Sequence, residues 1–149
     1  RAGWSAGLVL WTAIVGAVYH ALLARELTGL RWLADLGLHT VVPLAVLLWW
    51  LAYAHKTGLG RRHALLWLIW PALYVTYALI RGEMDGRHPY FFVDPVRIGW
   101  SGVALWCAGL GLVFWLAGLA LVLLSRSLGA RSGAASAEAR TDDAGAPTG

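Results

Sequence analysis

Asp35-Leu-Gly-Leu-His39-Thr-Val-Val-Pro43 opens an apolar segment that runs on through Leu44 to Ala54, and the whole is long enough to cross a bilayer. A carboxylate and an imidazole this close to a membrane span are costly unless they pair or face the bundle interior, so they propose a site. Four residues apart, Asp35 and His39 share one helix face, with Cβ atoms roughly 5–6 Å apart. An imidazole held by a carboxylate has a fixed tautomer and raised basicity, which suits a general base. The same pair also serves as a polar clamp between helices. Pro43, one turn further on, brings no N–H to the helix ladder, so it is expected to kink the helix and free the His39 carbonyl for another partner.

The rest of the chain shares this setting. Hydrophobic residues make up 59 % of the 149, charged residues 13 %, and the mean hydropathy is +0.62. A soluble domain of this size has too little interior to hide that much apolar surface, so lipid is the expected solvent. The ten tryptophans suit a membrane interface, where the ring is dry and the N–H wet. The net charge of +4 comes from scattered arginines without a basic stripe, which sets nucleic-acid binding aside. Cys107, the single cysteine, lies in an apolar run and reads as a small core residue.

Four segments meet the length needed to span: residues 3–24, 32–55, 63–80 and 98–124. Runs of this length satisfy their backbones as helices, which predicts an all-α, polytopic transmembrane bundle of four antiparallel helices over residues 1–128. The tail, 129–149, is Ala, Gly, Ser and Thr with Asp142, Asp143 and Pro147, and is expected to be disordered. Lys56, Arg61 and Arg62 crowd the turn after the second span, and Arg126 and Arg131 follow the fourth. The positive-inside rule puts that side, and the tail, in the cytoplasm. The chain begins at Arg1 and enters an apolar run almost at once, too long for a signal peptide, and so is expected to be the remainder of a longer protein.

Alternating threading gathers His20, Asp35, His39, Tyr74, Tyr77, Arg81, Asp94 and Arg97 at the membrane face opposite the basic turn. His20 shares a helix face with Gly16 and Thr12, and Gly16 permits close approach of a second helix. Tyr74, Tyr77 and Arg81 step along the third span at helical spacing. They read either as a receptor for a carboxylate or phosphate head group or as an aromatic belt with a snorkelling arginine. His20, Asp35 and His39 together are also a possible zinc or iron ligand set. The loop from Arg81 to Arg97 carries Tyr90, Phe91 and Phe92 as an apolar wedge, either a lid or an interfacial anchor. No nucleophile has a local claim: Thr40 points about 100° away from His39 on the helix, Thr12 and Thr76 lie deeper, Ser101 begins the fourth span, and there is no GxSxG elbow.

Leu-His-Thr-Val-Val-Pro at 38–43, the Pro71 to Tyr74 spacing, Arg81-Gly82, and His-Pro-Tyr-Phe-Phe-Val-Asp at 88–94 resemble the androgen-induced protein family, which includes the androgen-dependent regulator of tissue factor pathway inhibitor. With Val-Tyr-His-Ala-Leu-Leu at 18–23 added, the chain looks closest to the bacterial Pr6Pr family of integral membrane proteins. The likeness covers residues 16–99, and His88 departs from the tyrosine that relatives often carry there. The resemblance implies the last four of six spans of a lipid ester hydrolase that needs no cofactor. It implies His39 as the base and a threonine nucleophile on a helix before Arg1, to which the spacing adds Asp35 as the orienting group and Arg81, Tyr74, Tyr77 and His20 as substrate contacts. The alternatives are a non-enzymatic scaffold or lipid-binding subunit and, third, a metal-binding membrane protein. Membrane lipids are the expected partners, and the bacterial inner membrane the expected location.

Overall fold

The computed structural model describes residues 2–144, with side chains as far as residue 130. It is all-helical, with no strand among the described residues, and four of its helices are long and apolar enough to cross a membrane. We label them α1 (Ala2–Leu23), α2 (Leu30–Tyr53), α3 (Arg61–Asp85) and α4 (Pro95–Ala144), the last with Pro95–Ala130 as its spanning part. Each contains most or all of one of the four expected segments. Leu33, Val41, Leu44 and Leu48 on α2 are all exposed, which is what a helix solvated by acyl chains presents. The chain divides into two compact units, Arg1–Leu59 with Ala120–Gly149, and Gly60–Leu119.

In the first unit α1 packs on α2 in antiparallel sense, the late residues Gly16 and His20 meeting the early residues His39, Thr40 and Pro43. Both helices widen into a π-turn at this end, at Tyr19–Leu23 and at Gly37–Val41. The second π-turn ends just before Pro43, whose missing N–H cannot serve the His39 carbonyl four residues back. That carbonyl lies against Gly16: a Cβ built on Gly16 comes 2.7 Å from the His39 oxygen, with the Pro43 ring at 3.4 Å. The close approach expected of Gly16 and the displaced carbonyl expected of Pro43 are therefore one contact. At the other end of the unit Trp50 is fully buried with Lys56 over its ring at 5.4 Å, and Arg126 Nε donates to the Leu59 carbonyl at 3.3 Å.

In the second unit, α3 loses its regular helix at Trp67 and Leu68, the positions where the ring of Pro71 would meet the carbonyl four residues before it. Its C-terminus stops on Gly86, left-handed at φ 70°, with the Gly86 N–H on the Gly82 carbonyl at 2.8 Å. Asp94 caps the first turn of α4 by accepting from the Val96 and Arg97 N–H groups at 3.0 and 3.2 Å, with Pro95 at the first helical position, and the helix is kinked at Gly99, φ 70°, before its long apolar part. Between them the wedge folds inward: Phe92 and Val93 are buried, and Phe91 and Phe92 pack on Trp106 of α4 at 5.4 and 5.8 Å.

The backbone stays helical to Ala144, past the 128/129 boundary expected between bundle and tail. An alanine-rich continuation of a helix already formed carries no nucleation cost, which composition alone does not weigh. Residues 145–149, also part of the expected disordered tail, lie outside the described residues.

Candidate functional site

His39 is held as its spacing from Asp35 predicts. Its Nδ1 lies 3.1 Å from Asp35 Oδ1 and 3.2 Å from the Asp35 backbone carbonyl. Both partners are acceptors, so in the neutral ring Nδ1 carries the proton and Nε2 the lone pair. Nε2 has no hydrogen-bond partner among the described residues, and the side chain is 26 % exposed. The ring is clamped from one face by Tyr19, stacked at a centroid distance of 3.8 Å and tilted by only 10°. Tyr19 is itself buried, with the Asp35 carboxylate near its hydroxyl. Such an imidazole is oriented, in one tautomer, and open on its basic nitrogen.

His20 does not join that pair. Its Nε2 is 3.0 Å from Thr40 Oγ1, across the interface between α1 and α2. Thr12 and Thr76 turn their hydroxyls to their own helices, on the Leu8 and Ala72 carbonyls at 2.9 Å, as does Ser125 to the Leu121 carbonyl at 2.7 Å. Thr40 reaches an imidazole on another helix instead. The rotation about the helix axis that denies Thr40 to His39 is the one that aims it at His20, a partner that spacing along a single helix does not reveal. The signal present in the sequence is the pair of small residues Gly16 and Ala17 one turn before His20, which bring the helices close enough for the contact.

His20, His39 and Thr40 lie at one end of a groove of about 240 Å³ between α1 and α2, continued by Ala13, Gly16, Ala17, Pro43, Leu44 and Leu47. Imidazole and hydroxyl line its polar end, aliphatic carbon the remainder. Among the described residues no three His, Cys, Asp or Glu side chains come together in a metal-binding group. The metal reading of His20, Asp35 and His39 thus has no ligand set here, because His20 turns to Thr40 while His39 turns Nδ1 to Asp35.

The remaining predicted residues belong to the second unit. Arg81 donates from Nη1 to the Tyr77 hydroxyl and from Nε to Asp85 Oδ2, both at 3.0 Å. Asp85, one turn after Arg81, is a partner that sequence reasoning missed although the i, i+4 spacing signals it. Tyr74 donates to the Tyr90 hydroxyl at 3.4 Å, tying α3 to the wedge. The side chain of His88 is only 4 % exposed, 3.6 Å from Asp94, with its ring against Gly82 and its Nε2 without a partner among the described residues.

No protein-family model, curated protein or solved structure matches this chain. The class that the fold defines is an all-helical protein with four helices fit to span a membrane, as in a multi-pass membrane protein.

Proposed function

We propose that this chain acts in a membrane-embedded ester hydrolase, with His39 as general base and Asp35 as the group that orients it. The observation that carries the reading is the state of His39: Nδ1 committed to Asp35, the ring face covered by Tyr19, Nε2 without a partner among the described residues, and the residue itself among those lining an apolar groove. A base must present a lone pair where the reacting proton will be, and this arrangement meets that requirement. The resemblance to the Pr6Pr and androgen-induced proteins is in keeping with ester hydrolysis as the reaction class. The substrate is an ester with a long acyl chain, delivered from the membrane. The bacterial inner membrane is the location that resemblance favours, with the basic turn and the tail on the cytoplasmic side.

The full-length protein in lipid nanodiscs, assayed on para-nitrophenyl decanoate, tests this. His39→Ala is expected to abolish steady-state turnover while the protein still elutes as a single helical species. Turnover equal to wild type would remove His39 from the chemistry. The second reading, a non-enzymatic scaffold, draws on the close Gly16 contact and the His20–Thr40 bond between α1 and α2, both of which also serve helix association. It predicts no turnover in any variant, and a lower melting temperature for His39→Ala.

A further inference from the structure

We infer that the C-terminal end of α3 binds one phospholipid with an ethanolamine head group, its phosphate on Arg81 and Tyr77, its ammonium on Asp85 and one acyl chain along Leu73 and Trp70. The inference does not depend on the hydrolase reading: all five residues belong to the second unit, and none lines the groove that holds His39. The Arg81 guanidinium is fixed along the helix by a partner one turn to either side, Nη1 on the Tyr77 hydroxyl and Nε on Asp85 Oδ2, both at 3.0 Å. A merely snorkelling arginine would turn its donors to water. Here Nη2 has no partner among the described residues, and Tyr77, which accepts from Arg81, still has its own O–H proton to give. A guanidinium edge beside a phenol O–H suits the two non-bridging oxygens of a phosphodiester, in charge-assisted hydrogen bonds.

The order of groups along the helix then selects the lipid. Ile69–Asp85 is regular α-helix, and at its 3.6-residue repeat Trp70, Leu73, Tyr77, Arg81 and Asp85 fall within about 120° of its circumference. All five are exposed. From the middle of the span outward they read apolar, phenol, guanidinium, carboxylate, and an ethanolamine phospholipid reads acyl chain, glycerol ester, phosphate, ammonium. The rise from Trp70 to Arg81 is roughly 16 Å, close to half of a hydrocarbon core about 30 Å thick, which is the reach of one acyl chain in its own leaflet. Asp85 accepts from Arg81 on Oδ2 and from the Arg87 N–H on Oδ1, and each oxygen keeps a second lone pair for an ammonium N–H. A choline head group has no N–H to offer there, and a glycerol head group no cation.

Native mass spectrometry tests this on the full-length protein in detergent, given equimolar palmitoyl-oleoyl phosphatidylethanolamine, phosphatidylcholine and phosphatidylglycerol. One ethanolamine lipid per chain is expected to be retained, about tenfold or more over the other two, as one hydrogen bond to a charged group provides. Arg81→Gln should weaken that retention by about tenfold or more. Asp85→Asn should abolish the preference for ethanolamine over choline, and Glu83→Gln, on the opposite side of the helix, should match wild type. Glycerophosphoethanolamine, the same head group without chains, should not displace the lipid at millimolar concentration. Equal retention of the three lipids, or a preference for the glycerol head group, overturns the assignment, as does wild-type retention in Arg81→Gln. Displacement by the chainless head group overturns the lipid as ligand in favour of a soluble phosphate ester. If Arg81→Gln does not fold, the selectivity of the wild type and its loss in Asp85→Asn decide.

Discussion

Asp35 shows how far one carboxylate can act through a neighbour. It accepts from His39 Nδ1 at 3.1 Å and so fixes the tautomer of a ring that Tyr19 covers from one face. Replacing it by asparagine keeps the shape but lets the amide present an N–H to Nδ1, which favours the tautomer with its proton on Nε2. For Asp35→Asn we expect kcat to fall by about 10²–10⁴-fold with little change in KM, as the loss of an orienting carboxylate does elsewhere. Steady-state kinetics checks this, and an equal effect on KM would mean that Asp35 holds substrate instead. The intrahelical pair is legible in the sequence because i, i+4 spacing alone determines it. Tyr19 and Thr40 are not, because each acts across α1 and α2, and the mutual register of two helices is not written in the spacing along either one.

At the scale of elements, the decisive features are places where a helix is interrupted or a side chain is missing. The four spans can be read from apolar length, and an observed helix corresponds to each of them. The π-turns at Tyr19–Leu23 and Gly37–Val41 cannot, since nothing local marks a turn that gains one residue. Gly82 illustrates the second case, because any Cβ there would overlap the His88 ring. Gly82→Ala should destabilise the protein by about 1–3 kcal/mol, the usual cost of overpacking, read as a lower thermal midpoint in detergent. Asp94→Ala should cost about 1 kcal/mol by removing the cap of the turn that precedes the Gly99 kink of α4, and would also strip His88 of its carboxylate neighbour. If either variant melts with the wild type, the wedge from Tyr90 to Val93 is held by its aromatic packing on Trp106 alone.

Over the whole molecule, the apolar faces carry the physical argument. A soluble helix hides its leucines, yet here Leu38, Leu48, Leu73 and Leu105 stand outward at 63, 64, 60 and 75 % exposure, which fits helices long and apolar enough to cross a membrane. The amino-acid composition alone carries this information, since so apolar a chain of this length has nowhere else to put such side chains. Orientation is a finer matter, because arginines sit in the connections at both ends of the helices. A reporter fused after Arg126 should be active in the cytoplasm and one inserted after Arg87 should be active outside, and the reverse pattern would invert the threading.

Gly16 sets the separation of α1 and α2 at the level where the chemistry is proposed. Because the His39 carbonyl rests where a methyl group would be, the spacing between imidazole and hydroxyl on facing helices is fixed by the absence of a single carbon atom. A protein carrying alanine there would pry the two walls of the crevice apart, and would be expected to keep its membrane insertion and its helical content while losing the contact between His20 and Thr40.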